Sequence, residues 1–122
     1  MNEVDETPLS PKISVFLQEL FPEFNFKLVN EQYNKTHFGN GEIEYELGSF
    51  HIFIIRDRSQ LFIEIALKIR TGTRYYLPRI FEYIGVAKET DFVNHDLPCL
   101  TRQLMLFKQN MNKILREFEV QM

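Results

Sequence analysis

Between Glu42 and Ile69 the chain runs through three β-length blocks separated by short polar turns, and this run constrains the fold most tightly. In the first block Glu42, Glu44 and Glu46 alternate with Ile43, Tyr45 and Leu47. Successive strand side chains point to opposite faces, so this block has one acidic and one apolar face. Gly48-Ser49 forms a tight turn. Phe50 to Ile55 is then apolar on both faces apart from His51, the pattern of a central strand covered on each side. After the interruption Arg56-Asp57-Arg58-Ser59-Gln60, the series Leu61, Ile63, Ile65, Leu67 and Ile69 alternates against Phe62, Glu64, Ala66, Lys68 and Arg70. Turns this short join antiparallel neighbours.

Helices flank the run. Ser10-Pro11 supplies a hydroxyl N-cap and a proline at the first helical position. Ile13, Phe16, Leu17 and Leu20 then recur at helical spacing, up to Pro22. A strand is expected over about residues 25–33, where Phe24, Phe26 and Leu28 alternate with polar residues and Tyr33 lies beyond. Gly39-Asn40-Gly41 closes a turn cluster that begins at Thr36. Past the loop Thr71-Gly72-Thr73, Leu77, Ile80, Phe81 and Ile84 share one helical face, with Pro78 near the start and Gly85 near the end. Asp96 and Pro98 open the last helix. In it Leu97, Leu100, Leu104, Phe107, Met111, Ile114 and Phe118 step by three and four, and Met105, Leu106 and Leu115 widen the stripe enough to pack on a sheet.

The expected fold is α+β. An N-terminal helix and two C-terminal helices pack on one face of a three- or four-stranded antiparallel sheet. Residues 1–9 read as a flexible tail and 10–122 as one domain, which a chain of 122 residues can fill with its own core. A single cysteine, Cys99, gives no disulfide framework and fits a reducing compartment. The N-terminus lacks the blocks of a signal peptide, and no apolar run approaches membrane-helix length, so a cytoplasmic protein is expected. The net charge is −3, with −5 in residues 1–61 and +2 in residues 62–122. This asymmetry disfavours nucleic acid as main ligand and suits a basic partner, although imbalance of this size is common.

No motif for chemistry stands out. His37, His51 and His95 lie far apart, without metal-ligand spacing, and neither a P-loop nor a nucleophile elbow occurs. Neither catalytic residues nor a metal or cofactor is expected. Cys99, in the first turn of the last helix with His95 four residues earlier, reads more simply as a packed small residue than as a nucleophile. Glu42, Glu44 and Glu46 read as alike, solvated carboxylates, whereas an acid/base pair needs unlike environments. They are either a solubilising face or a surface for a basic partner. Arg56-Asp57-Arg58 reads as a register-locking polar turn or a recognition tip. Lys68, Arg70, Arg74, Tyr75 and Tyr76 form a short basic-aromatic patch of the kind that binds single strands. The tyrosines are better used covering the sheet edge.

The stretches Phe38-Gly39-Asn40-Gly41-Glu42-Ile43-Glu44-Tyr45 and Phe50-His51-Ile52-Phe53-Ile54-Ile55-Arg56-Asp57-Arg58-Ser59-Gln60-Leu61-Phe62-Ile63-Glu64-Ile65 resemble small bacterial proteins that look like immunity proteins of polymorphic toxin loci. The resemblance covers about half the chain and carries over no functional residue. It implies a non-enzymatic protein-binding domain that occludes a cognate toxin; the acidic strand face, read from its charge, then puts Glu42, Glu44 and Glu46 towards basic residues of that partner, as in a nuclease-type domain. Arg56, Asp57 and Arg58 are the accompanying candidates. The alternatives are a carrier of small apolar ligands, suggested by twelve Phe residues, or a scaffold that dimerises through its last helix, so monomer and homodimer both stay open.

Overall fold

A computed structural model describes residues 10–34, 40–70 and 72–121. The expected tail at residues 1–9, His37, and the turn cluster up to Gly39 lie outside the described residues. The elements are α1 (Ser10–Leu20), β1 (Lys27–Asn34), β2 (Asn40–Leu47), β3 (Phe50–Asp57), β4 (Gln60–Leu67), β5 (Tyr75–Tyr76), α2 (Leu77–Tyr83), a single 3-10 turn (Glu89–Asp91) and α3 (Leu97–Gln121).

The fold is α+β with an antiparallel sheet in the order β1-β2-β3-β4-β5. Five strands replace the expected three or four. The addition is β5, a two-residue strand on which Tyr75 pairs with Ile65 and Tyr76 with Glu64. So short a strand leaves no period-two signature. Two boundaries also move. The β3–β4 turn contracts from five residues to Arg58-Ser59, because Arg56 and Asp57 stay in β3 and Gln60 starts β4. β4 ends at Leu67, so Ile69, read as the last inward residue, is 82% exposed.

Register fixes the faces. Ile43 opposes Ile54, Tyr45 opposes Ile52 and Leu47 opposes Phe50; on the other side Ile54 meets Ile63, Ile52 meets Ile65 and Phe50 meets Leu67. These rows join one buried cluster with Ile13, Leu17 and Phe21 from and after α1, Leu77 and Phe81 from α2, and Leu100, Leu104, Phe107 and Ile114 from α3. The helices therefore cover this face. The α3 seam packs on the chain's own sheet, where Phe107 meets Phe50 edge-on with ring centroids 5.2 Å apart. Phe53 and Ala66 point the other way; they are buried too, yet lie outside that cluster.

Helix ends follow their sequence signals. The Asp96 carboxylate accepts the Cys99 N–H at 2.9 Å, capping α3. α2 closes in a Schellman motif: Gly85 N–H donates to Glu82 O at 3.1 Å and Val86 N–H to Phe81 O at 3.0 Å, with Gly85 at φ 78°. Among the described residues no helix is long and apolar enough to cross a membrane.

Candidate functional site

The face opposite the helices carries the acidic comb. Glu42, Glu44 and Glu46 lie opposite Ile55, Phe53 and His51 of β3, and β4 continues the rows with Phe62, Glu64 and Ala66. The expectation of three alike, solvated carboxylates does not hold. Their side chains are 27%, 17% and 31% exposed in chain order, and each has its own partner. The Arg74 guanidinium meets Glu42 Oε1 at 2.6 Å and Glu64 Oε1 at 2.9 Å. His51 Nδ1 donates to Glu44 Oε2 at 2.5 Å. Lys68 Nζ sits 2.9 Å from Glu46 Oε1, and His51 Nε2 lies 3.6 Å from the other Glu46 oxygen.

These partners come from three elements. His51 is placed by β3, and Lys68 by the residue after β4. Arg74, immediately before β5, reaches from the sheet edge back across β4 and β3. On the way its guanidinium carbon lies 3.7 Å from the Phe53 ring centroid, which helps explain why a Phe on the helix-free face is only 3% exposed. The Lys68 ammonium holds the Glu46 carboxyl below the usual range, against a smaller opposing effect of burial. On the helix side Tyr45 bonds Ser14 at 2.9 Å, and burial pushes its phenol up.

Arg56, Asp57 and Arg58 are not one cluster. Arg56 opposes Leu61 on the helix-covered face and is 5% exposed, whereas Asp57 and Arg58 are exposed at the hairpin tip. That tip is strained. Arg58 and Ser59 both have positive φ, 52° and 68°, as a type I′ turn requires, though neither is glycine or asparagine. Asn40, at the start of β2, holds the turn: its Oδ1 accepts the Arg58 N–H at 2.7 Å and its Nδ2 donates to Asp57 Oδ1 at 3.3 Å. Sequence reasoning read Asn40 only as part of a neighbouring turn, and its usable signal was a missing one. A two-residue hairpin without Gly or Asn needs help from elsewhere.

Arg74, His51, Lys68 and Phe53 were likewise not singled out as one group. Period-two parity places His51, Phe53 and Lys68 on the comb's face, but the reach of Arg74 over the sheet has no local signature. It also changes the reading of the basic-aromatic patch, since Lys68 and Arg74 are already paired with carboxylates. Cys99 is buried, with the Gln103 amide 3.5 Å from its sulfur, while the His95 ring stacks on Phe62 at 4.5 Å. Among the described residues no group of three or more His, Cys, Asp or Glu is placed to hold a metal ion.

Beside β5, an open groove of about 650 Å³ runs between α2 and the C-terminal part of α3. Tyr75, Tyr76, Ile80, Tyr83, Ile84 and Phe118 line it, with charged residues at its rim. Comparison with protein-family models, with curated proteins and with solved structures gives no match.

Proposed function

We propose that the chain is a non-enzymatic protein-binding domain, an immunity-type inhibitor that acts in the cytoplasm by covering the functional surface of a cognate toxin. One observation carries this reading. The sheet face that no described helix covers holds its charged side chains in fixed places, with Arg74 tying Glu42 to Glu64 and His51 and Lys68 holding Glu44 and Glu46. A surface ordered before encounter loses less side-chain entropy on binding, so more of its interaction energy becomes affinity. Because the comb is internally paired, it recognises a partner by the spacing of alternating charges rather than by bulk negative charge. The Arg58 tip stands at the end of this face and adds an exposed cation on a rigid turn.

The test is co-expression with the product of the neighbouring gene. Rescue of growth and a stable complex are expected. Arg58→Glu and Glu46→Gln should each slow association at low salt. The absence of both rescue and complex overturns the reading, and unchanged association for both variants removes this face from it.

A carrier of small apolar ligands has one feature in its favour, the groove beside β5. Its volume falls within the roughly 300–1,000 Å³ usual for ligand sites. Native mass spectrometry of the purified protein decides this reading, since a carrier retains its ligand.

A further inference from the structure

We propose that the groove beside β5 receives a lysine or arginine side chain of the partner protein, an inference that rests on the protein-binding reading above. The groove is walled by aromatic rings. Tyr75 packs against Phe118 with centroids 5.0 Å apart, and Tyr83 is 63% exposed. Aromatic faces carry the negative side of a quadrupole and attract cations, while tyrosine is a frequent anchor of protein interfaces.

The rim charges point the same way. Among the described residues four charged ones border the groove: Arg74, Arg79, Glu82 and Glu117. Both arginines are occupied, Arg74 by Glu42 and Glu64 and Arg79 by Glu89 at 3.1 Å. The two glutamates have no ion-pair partner among the described residues; Glu82 Oε1 only accepts the Glu89 N–H at 2.9 Å. The charge left over at the rim is therefore negative, although the formal count is balanced. An anionic guest would meet those carboxylates. A purely apolar guest would strip water from them without replacement. A lysine or arginine suits both parts: its aliphatic stem packs on Ile80 and Ile84 and its charged head reaches the ring faces and carboxylates. The volume exceeds one side chain and leaves room for the flanking backbone.

The isolated protein can be titrated by amide NMR with N-acetyl-lysine methylamide and with its uncharged norleucine analogue. Shifts centred on Tyr75, Tyr83 and Ile84 are expected with the lysine probe, and binding of the analogue should be at least about fivefold weaker. Glu82→Gln with Glu117→Gln should weaken the lysine probe about five- to tenfold while the spectrum stays dispersed. Equal binding of the two probes, or no shifts at the groove, overturns the proposal. In the complex with the partner, an affinity unchanged by the double substitution overturns the groove assignment and leaves the inhibitor reading intact. A failure of the neighbouring gene product to bind at all overturns that reading instead.

Discussion

Arg74 lies over Phe53, its guanidinium carbon 3.7 Å from the ring centroid, and from there it joins Glu42 of β2 to Glu64 of β4. One side chain from the sheet edge thus does for the helix-free face part of what helices do for the other. It shields a Phe from water and neutralises two half-buried carboxylates.

Replacing Arg74 with Ala should destabilise the fold by about 1–3 kcal/mol, because the cation–π contact is lost and Glu42 and Glu64 keep their partial burial without a cation. Arg74→Lys should recover only part of this, since an ammonium lacks the planar fork that stacks and pairs at once. Urea unfolding of both variants measures it. A loss below about 0.5 kcal/mol for Arg74→Ala would place the side chain among ordinary surface arginines.

The hairpin tip makes two opposite predictions. Asn40→Ala removes the acceptor for the Arg58 N–H and should cost about 1 kcal/mol. Ser59→Gly relieves a left-handed residue at φ 68° and should stabilise by about 1 kcal/mol. Thermal unfolding of the two variants should move in opposite directions. Movement in the same direction would show that the turn is not strained in solution.

Stability should also depend on the state of Glu46. Its carboxyl titrates below the unfolded value because of Lys68. The contribution is therefore fully present above the unfolded carboxylate range and is lost as pH falls through the lower, folded value. In Glu46→Gln this part of the acid dependence should vanish, so the variant and the parent converge in stability as pH falls through the folded value. Denaturant midpoints across that range provide the check, and a constant gap between the two curves contradicts it.

Tyr45 has the opposite sign. Burial raises its phenol, so its contribution is complete below the unfolded value of about 10 and disappears as pH rises through the folded one. Tyr45→Phe should lose the Ser14 hydrogen bond at neutral pH and keep more of its stability in alkali than the parent does. Absorbance titration of the phenols alongside unfolding separates the two effects.

Phe107→Ala should cost about 3–5 kcal/mol, the range for emptying a fully buried aromatic site. The partner ring at Phe50 couples to it, so the double variant should lose less than the two single losses combined.

The sheet was legible because burial is written in alternation. Ile43, Tyr45 and Leu47 announced which way β2 faces, and every one of them is buried. The last helix was legible for the same reason at a longer period: Leu100, Leu104, Phe107 and Ile114 are buried, and Leu106 and Leu115 widen the stripe as expected, but Met105, read as part of that widening, and Leu97, read as part of the seam, lie outside at 48% and 44% exposure. What stayed hidden was the part made by reach rather than by period. The comb was visible, but its pairing with His51, Lys68 and Arg74 depends on which strands become neighbours and on how an edge arginine lies across them. Arg56 was misjudged as an exposed member of the tip, because a charged residue beside a turn normally faces water. The strand ran one pleat further and turned it toward the helices. The groove needs β5 and α2, which are contiguous, together with the far end of α3, more than thirty residues further on in sequence.

The order β1-β2-β3-β4-β5 has a consequence for synthesis. Each strand pairs only with its neighbour in sequence, so the meander can zip as it leaves the ribosome. Its row of isoleucines, however, is covered only in part, by α1 and α2, until α3, the last described element, has been made. A chain stopped short of Leu97 would carry a finished sheet with the α3 part of its apolar face still open to water.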